Sequence, residues 1–426
     1  MSHVLQNLFR KIRSIRNGAS RHTRLTLSGL LVAAAVWRIS EGVLMPISYL
    51  TGDMVHYDHL ALTMLNHHVY SYWSTTPDAQ VTPGYPLFLA LCYVIANLFY
   101  PDQHAVQLLV ATIAQEVLSV FSIYLVYKLS RRILPVSLAT GVSILWFLYP
   151  TAAWAPRLLL TETLYTTLLL LSVYLFYTAL DRPSVWIWAW CGLAFGATTL
   201  VRPTAGAFLL APVVVWAWRF WRRKPLNLRF GLAYGAVFIA ALVPWWVRNF
   251  ISLHRIILTD TDSGNPLLYG SDPNFQVDQL SKGLHGMSQG ALAVQRILYG
   301  FSHEFWTYLW WYTGDKLWLL FGSPWFVEPS QSSASVFADI GYAWLHLHIA
   351  WVILGLLGVF AGFKHPDMRF ISVLVLLLMG FELPFIPIPR YSYPVMPFMF
   401  IGAGYFAKWV GALELQRRAL TKRSFL

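Results

Sequence analysis

Apolar runs of about 20 residues recur along this chain, and they restrict its fold more than any other feature. Hydrophobic residues make up 57% of the 426 positions and charged residues only 12%, with a mean hydropathy of +0.52. One soluble core cannot bury that much apolar surface. Lipid offers no partner to free backbone groups, so spans must be helices or closed barrels, and continuous apolar runs select helices. The sequence therefore predicts an all-α polytopic membrane protein.

Basic residues gather in short segments between and beside the apolar runs. The net charge of +12 could indicate a polyanionic partner, but short cytoplasmic loops and tails of membrane proteins carry the same excess of Lys and Arg. We therefore expect no nucleic-acid partner, and we place both termini in the cytoplasm. The basic clusters are Arg10, Lys11, Arg13, Arg16, Arg21 and Arg24; Lys128, Arg131 and Arg132; Arg219, Arg222, Arg223, Lys224 and Arg229; Lys364 and Arg369; and Lys408, Arg417, Arg418, Lys422 and Arg423.

Spans placed between these clusters alternate consistently when ten are counted. Each is near the roughly 20 residues that a helix needs to cross a bilayer, although several are shorter. The predicted spans are roughly 25–47, 105–128, 133–150, 163–180, 185–201, 204–220, 230–247, 342–362, 370–389 and 392–408. The first is read as an uncleaved anchor, because it is too long for the apolar region of a signal peptide.

Two further apolar segments, 83–99 and 304–326, would break this alternation if they crossed the membrane. We predict an interfacial or re-entrant helix for 83–99, and an interfacial position for 304–326 because its tryptophans resemble an aromatic belt. The predicted organisation is a basic cytoplasmic tail at 1–24, a transmembrane domain at 25–408 and a second cytoplasmic tail at 409–426. The large outer loops are about 48–104 and 249–341.

This topology places several ionisable side chains together on the outer face of a cell membrane. Charged residues at the lipid boundary are costly unless they are paired, solvated or used, so they are candidates for a functional site. Arginines there favour a ligand with an anionic head group and a lipid tail. The side chains in question are Asp53, His56, Asp58, His59, His67, His68, Arg157, Glu162, Arg202, Arg248 and Arg390.

A series of short motifs follows in order along most of the chain. The motifs are Asp53 to Tyr57, Pro83-Gly84-Tyr85-Pro86-Leu87-Phe88-Leu89, Leu160-Thr161-Glu162, Leu200-Val201-Arg202-Pro203, Pro244-Trp245-Trp246-Val247-Arg248-Asn249, the loop 261–265 with Tyr269-Gly270, and Arg390-Tyr391 with Pro394 and Pro397. Together they resemble the motifs of the glycosyltransferase family 39-like membrane enzymes, which are relatives of protein O-mannosyltransferases and lipid A aminoarabinose transferases.

The resemblance implies a GT-C-type bundle of about ten transmembrane helices with interfacial helices in the outer loops. It also implies transfer of a sugar from a polyprenyl-phosphate donor, such as an undecaprenyl-phosphate sugar, to an acceptor hydroxyl on the extracytoplasmic face. Inversion at the anomeric carbon is the usual outcome. Within the resemblance, Asp53 matches the position of the catalytic base.

The chemistry of such a transfer requires one base and a group that holds the departing phosphate. The base takes the proton of the attacking hydroxyl, and cationic donors stabilise the leaving phosphate. One carboxylate is enough, because a lipid phosphate leaves without protonation, unlike the leaving group in glycoside hydrolysis. We predict that Asp53 is the base; the alternative is an N-cap for a helix that begins at Met54. Asp58, five residues further on, would lie off the face of Asp53.

Glu162 is the second predicted catalytic carboxylate. It could orient the acceptor, bind a metal ion or hold the sugar. It could instead only stabilise the start of a helix through the helix dipole.

Three arginines are predicted to bind the donor phosphate, because guanidinium groups hold phosphate through two parallel hydrogen bonds. Arg390 is preferred, Arg248 competes for the role, and Arg202 could instead anchor the end of a span. Arg38 and Glu41, three residues apart in the first span, are expected to pair with each other. Predicted contacts to substrate come from Tyr57, His56, Tyr85, Tyr391 and Tyr393.

No cofactor is certain from the sequence. The spacing of Asp53, His56 and His59, with Glu162 nearby, leaves a divalent metal ion open, although no tight metal-binding signature is present. The alternative is a hydrated loop of neutral histidines that binds no metal ion.

Two classes of function remain open from the sequence. The favoured one is a polyprenyl-phosphate-sugar-dependent glycosyltransferase; the other is a non-catalytic transporter or flippase of lipid-linked sugars. The sequence names neither the sugar nor the acceptor, which could be a lipid, a polymer or a protein.

Overall fold

In the computed structural model, the described residues are 25–44, 47, 49–221, 227–262, 264–273, 286–325 and 336–424. Helices dominate these residues and none of them lies in a strand. The all-α fold is therefore confirmed. The predicted tail at 1–24 falls outside the described residues, whereas most of the predicted tail at 409–426 continues the last helix.

Seventeen helices can be traced through the described part of the chain. They are α1 (Leu25–Leu44), α2 (Asp53–His67), α3 (Gly84–Asn97), α4 (His104–Ile133), α5 (Val136–Leu148), α6 (Pro150–Trp154), α7 (Glu162–Asp181), α8 (Val185–Val201), α9 (Ala211–Trp221), α10 (Leu228–Leu253), α11 (Gly264–Gly270), α12 (Gln289–His303), α13 (Phe305–Trp310), α14 (Lys316–Phe321), α15 (Val336–Gly362), α16 (Pro366–Glu382) and α17 (Met396–Ser424). Short 3₁₀ segments join several of them, at Ala155–Arg157, Pro203–Leu210 and Pro389–Val395.

Six helical segments of the described residues are long and apolar enough to cross a membrane. A seventh is added if the pair Val136–Leu148 and Pro150–Arg157, bent by 60°, counts as one span. The six are Leu25–Leu44, His104–Ile133, Glu162–Asp181, Leu228–Leu253, Ala343–Gly362 and Pro389–Glu414. A multi-pass membrane protein is thus established. The count of ten stays a prediction, because Val185–Val201 and Pro203–Val215 are shorter apolar helices.

The segment predicted as the first outer loop folds into two short helices, α2 and α3. Helix α3 has 14 residues, which is about 21 Å and well short of a hydrocarbon core of about 30 Å. Tyr85, Leu89 and Tyr93 of α3 are fully buried, and the helix packs against α2 and α4. The loop is therefore part of the packed bundle.

The tryptophan-rich segment 304–326 forms α13 and α14 around one π-helical turn, Trp311–Asp315. Trp306, Trp310 and Trp318 are exposed, while Lys316 is completely buried. Exposed tryptophans are typical of the headgroup level of a membrane, and the interfacial position of this segment stays a prediction.

Helices α8 and α10 approach closely because α8 presents two glycines, four residues apart, to α10. A Cβ added at Gly192 would lie 2.3 Å from the carbonyl oxygen of Tyr234, and one at Gly196 would lie 3.0 Å from that of Phe238. Small residues at this spacing let two membrane helices pack backbone to backbone. The contact fixes the end of α8, which leads directly into Arg202.

We predict that Gly192→Ala destabilises the protein by about 1–3 kcal/mol, because the new methyl group must displace backbone rather than a flexible side chain. Gly235→Ala on α10 is the matched control. Nothing lies within 4 Å of a Cβ at that position, so alanine should leave stability unchanged or raise it by up to about 1 kcal/mol. The measurement is the thermal unfolding midpoint in detergent. Equal midpoints for the two variants would contradict the close contact.

Candidate active site

Asp53 is the first residue of α2, at the end of the bundle where the predicted outer loops lie. The N-cap position is Gly52, whose positive φ of 53° suits glycine. The alternative role of Asp53 as the N-cap is therefore not what the structure shows. The Asp53 side chain is about half exposed, at 46%, and its Oδ2 accepts a hydrogen bond of 2.7 Å from Nη1 of Arg390. A carboxylate that is both exposed and paired can exchange its partner for a ligand.

Glu162 begins α7 and is buried, with only 1% of its side chain exposed. Its Oε1 accepts hydrogen bonds from Nε of Arg390 and Nη2 of Arg202. The Nε of Arg202 also donates to the hydroxyl of Thr161, at 3.0 Å. Charge-assisted bonds of this kind fix guanidinium groups firmly. Glu162 therefore orients both arginines from a buried position outside the cavity lining.

These side chains adjoin a cavity of about 240 Å³. Asp53, Arg202 and Arg390 line it, and Glu162 does not. Arg390 uses Nη1 and Nε for the two carboxylates, which leaves Nη2 outside both contacts. The remaining lining is polar and aromatic: Tyr57, Tyr72, Gln80, Val81, Thr82, Thr161, Val201, Pro203, Thr204, Asp260, Asp262, Pro266, Glu382, Phe385 and Tyr391.

Three acidic residues of the cavity were not predicted as site residues, namely Asp260, Asp262 and Glu382, although Asp262 lies in the motif loop 261–265. Glu382 ends α16, and the other two follow α10. Nε2 of Gln80 donates to Oδ1 of Asp262 at 2.7 Å. Burial, together with the negative charges of Asp260 and Asp53, raises the pKa of the Asp262 carboxyl to about 6. The sequence does contain a signal for these three residues, because each is acidic and lies where the chain leaves an apolar run.

Lys316 was also missed, and it supports one wall of the cavity. Its ammonium donates to the carbonyl oxygens of Leu383, at 2.5 Å, and Phe385, at 3.1 Å. Burial lowers the pKa of this ammonium to about 7. Because Phe385 lines the cavity, Lys316 holds that wall through the backbone.

Two of the five predicted substrate contacts line the cavity, namely Tyr57 and Tyr391. Tyr57 packs edge-on against the rings of Tyr72 and Tyr85. Burial raises the pKa of its hydroxyl well beyond the usual range, so the group stays a neutral donor. His56 lies outside the lining and stacks on Tyr72, with ring centroids 4.7 Å apart.

The other two predicted contacts, Tyr85 and Tyr393, are buried in the bundle and stay outside the lining. The hydroxyl of Tyr85 donates to Oε1 of Gln115 at 3.1 Å, and Tyr393 stacks on Trp146 at 5.4 Å. A role in substrate contact is therefore not supported for either side chain, because neither presents a surface to the cavity.

Arg248 lies apart from Asp53 and Arg390. Its guanidinium donates to the carbonyl oxygens of Asp78, at 2.5 Å, and Tyr70, at 2.7 Å. It also faces the rings of Tyr70 and Trp245. These contacts attach the first outer loop to α10, so its predicted role in binding phosphate is not supported by the geometry.

The residues suggested for a metal ion do not converge. The ring of His56 packs between Tyr72 and Trp73, and His59 lies 3.2 Å from the carbonyl oxygen of Ser74. Across the part of the chain that the structure describes, no group of three or more His, Cys, Asp or Glu could hold a metal ion. The positive charge between Asp53 and Glu162 comes from Arg390 instead.

Fold and cavity together define a polytopic helical membrane protein with a polar pocket at one end of its bundle. Residues 81–247 match the family model for dolichyl-phosphate-mannose-protein mannosyltransferase. This segment contains Glu162, Arg202 and the Pro83-Gly84-Tyr85 motif. No curated protein has a significantly similar sequence.

Solved structures of two proteins share the fold. ArnT from Cupriavidus metallidurans bound to undecaprenyl phosphate is similar with a TM-score of 0.53 and 16% identity over 89% of this chain. The Archaeoglobus fulgidus oligosaccharyltransferase is similar with a TM-score of 0.54 in the apo form, and of 0.56 in complex with Zn and sulfate, at 13% identity. These two matches cover 93% and 92% of this chain.

The chain spans 59% of the length of ArnT, and 52% and 50% of the oligosaccharyltransferase chains. The resemblance to GT-C fold membrane glycosyltransferases is confirmed by the family match and by the fold.

We predict that ionisation of Asp262 reduces stability between about pH 4 and pH 6. The carboxyl has a pKa of about 6 in the folded protein against an ordinary value of 3.8. The folded state therefore binds more protons in this window, and stability falls as pH rises until it levels above pH 6. In Asp262→Asn, which retains an acceptor for Gln80, the decline should be smaller. Thermal unfolding midpoints of both proteins from pH 4 to 7 test this; parallel curves would contradict it.

Proposed function

We propose that this protein is an integral-membrane glycosyltransferase that moves a sugar from a polyprenyl-phosphate donor to an acceptor hydroxyl. The observation that carries the proposal is the pairing of an exposed carboxylate, Asp53, with an arginine, Arg390, in a polar cavity. A base and an anion-binding group side by side are what such a transfer requires. The undecaprenyl phosphate bound to the similar ArnT structure supports this class of donor.

In the proposed reaction, Asp53 accepts the proton of the acceptor hydroxyl while that oxygen attacks the anomeric carbon. The bond from that carbon to the phosphate oxygen breaks, and its electron pair leaves with the polyprenyl phosphate. Arg390 and Arg202 stabilise the negative charge on the departing group. Attack opposite the leaving group inverts the anomeric configuration. Asp260 and Asp262 can accept hydrogen bonds from sugar or acceptor hydroxyls.

Arg202 and Arg390 do not depend on Asp53 to stay in place, because both donate hydrogen bonds to Glu162, which lies outside the cavity lining. A donor phosphate can therefore replace Asp53 as the partner of Arg390 without releasing that side chain. This exchange frees Asp53 to act as the base only when the donor is bound. Glu162 is then a positioning residue rather than a catalytic one.

We place the cavity on the extracytoplasmic side of a cell membrane, with the basic segments in the cytoplasm. Within the described residues, three of those segments meet at one end of the bundle, which supports this orientation. Nε of Arg132 donates to Oδ1 of Asp367 at 2.7 Å, and Nζ of Lys408 donates to the carbonyl oxygen of Ile133 at 2.7 Å. At its other end, α4 contacts the first outer loop through His104 and Asp58, 3.3 Å apart.

The alternative is a transporter or flippase of lipid-linked sugars, which needs a polar path through the bundle. Arg38 and Glu41 lie 3.8 Å apart within α1, and Glu116 of α4, missed from the sequence, interacts with Arg38. Arg38 and Glu116 have no exposed surface. These three side chains therefore do not line an open path in this conformation, which favours the enzyme.

We predict that Asp53→Asn lowers sugar transfer or release by about 10²–10⁴-fold, because the base is lost. The assay uses the reconstituted protein with a panel of labelled undecaprenyl-phosphate sugars. Asp58→Asn is the matched control; Asp58 lies on the same helix, but its Oδ1 accepts from the Tyr93 hydroxyl at 2.5 Å. Full activity of Asp53→Asn would contradict the assignment of Asp53 as the base. No transfer or release from any donor, with lipid translocation in vesicles, would favour the transporter.

A second prediction concerns Glu162→Gln. Two largely buried guanidinium groups lose their shared counter-charge, so the protein should be less stable. Because an added phosphate supplies that charge, undecaprenyl phosphate should raise the unfolding midpoint of this variant more than that of the wild type.

Glu41→Gln serves as the control for the Glu162 variant, since it removes the partner of buried Arg38 away from the cavity. It should lose stability without a larger response to the lipid phosphate. If Glu162→Gln responds no more strongly than the wild type, Arg202 and Arg390 do not bind the phosphate.

A further inference from the structure

A second polar cavity lies at the opposite end of the bundle from Asp53. It has a volume of about 580 Å³ and lies at the C-terminal ends of α4 and α7. Its charged lining consists of Lys128, Arg131, Arg132, Asp181 and Arg182. None of these residues has a role in the proposed transfer.

The lining carries four basic side chains and one carboxylate, a net charge of +3. Counting Asp367, which contacts Arg132 from α16, the net charge is still +2. The carbonyl ends of two helices contribute only about half a negative charge each. The cavity therefore keeps a positive potential, which attracts anions.

Arg132 is already committed and forms a fixed wall. Its Nη2 donates to Oδ1 of Asp181 at 2.8 Å, and its Nε donates to Oδ1 of Asp367 at 2.7 Å. The guanidinium also lies 4.4 Å from the centre of the Tyr177 ring. Arg132 thus forms ion pairs with both Asp181 and Asp367.

Lys128 and Arg182 are the cations that this arrangement leaves available. The ammonium of Lys128 lies 5.9 Å from the ring centres of Tyr124 and Tyr174. Among the described residues, neither Lys128 nor Arg182 forms a side-chain hydrogen bond or an ion pair with a carboxylate within 4 Å. A partly buried ammonium between aromatic rings favours an anionic partner from outside the chain.

The position of the cavity along the helices corresponds to the headgroup level of a membrane. Helix α4 has 30 residues, about 45 Å, which exceeds a hydrocarbon core of about 30 Å. Lys128 and Arg131 lie within the last six residues of this helix, which suits a position beyond the core. Tyrosines such as Tyr174 and Tyr177, which also line the cavity, are typical of this level.

We propose that this cavity binds the phosphate head group of an anionic membrane phospholipid. Basic pockets between transmembrane helices on the cytoplasmic side are a known mode of binding such head groups. Lys128 and Arg182 supply the charge, and Arg132 with its two carboxylates keeps the wall in place. The proposal is independent of the transfer reaction, since the site lies at the other end of α4.

The test compares lipids with matched tails on the delipidated, full-length protein in detergent. Phosphatidylglycerol should raise the thermal unfolding midpoint by about 2–4 °C, as expected for about 1 kcal/mol of ligand stabilisation or somewhat more. Phosphatidylcholine and inorganic phosphate at the same concentration should have much smaller effects. In Lys128→Ala/Arg182→Ala, at least half of the shift by phosphatidylglycerol should be lost.

The control variant is Lys364→Ala/Arg229→Ala, which removes two exposed charges outside the cavity; it should retain the full shift. If both double variants lose the phosphatidylglycerol shift equally, general surface charge explains the shift and the proposal is overturned. An equal shift by inorganic phosphate would make the ligand a free anion. If the double variant does not fold, Lys128→Gln, which keeps the side-chain length, is measured instead, and a full shift in that variant overturns the site.

Discussion

The buried carboxylate of Glu162 is the contact on which the rest of the site depends. A carboxylate with 1% exposure would be very costly at the membrane boundary without a counter-charge. Arg202, beyond the end of α8, and Arg390, in the 3₁₀ turn before α17, both donate to the same oxygen. Arg390 then reaches Asp53 at the start of α2. One acidic side chain thus joins four segments that are far apart in sequence.

Close backbone packing brings those segments within reach of one another. A Cβ at Gly84 would lie 2.7 Å from the carbonyl of Leu200, so the start of α3 rests directly on the end of α8. The hydroxyl of Thr82 donates to the carbonyl oxygen of Val201 at 3.1 Å in the same place. The glycines of α8 fix its other face against α10. The position of Arg202 therefore follows from contacts that leave no room for a side chain.

Much of the fold could be predicted from the sequence, because its signals are local. Apolar runs mark helices, and basic clusters mark one end of the bundle, where Arg132 and Lys408 indeed lie together with neighbouring loops. Asp53, Glu162 and Arg390 were found for the same reason: each is a charge at the edge of an apolar run. The number of spans was not determined, since the shorter apolar helices fail a simple length criterion.

The direction of individual side chains could not be predicted, because it depends on packing between helices that are distant in sequence. Tyr85 and Tyr391 belong to equally plausible motifs, yet only Tyr391 lines the cavity. Arg248 and Arg390 both end apolar segments, but the first meets backbone carbonyls and the second meets carboxylates. Glu116 was overlooked because Arg38, with which it interacts, lies on another helix, so no local spacing links the two.

The two ends of the bundle use the same kind of contact for different purposes. At one end Arg390 bridges Asp53 and Glu162; at the other Arg132 bridges Asp181 and Asp367. Asp53 is half exposed and lines the cavity, and in the proposed reaction a phosphate displaces it from Arg390. The proposed binding is therefore a competition between two anions, and it frees the Asp53 carboxylate. At the basic end, Lys128 and Arg182 form no ion pair within 4 Å among the described residues. The proposed head group therefore binds there without displacing a carboxylate, and the ion pairs of Arg132 stay intact.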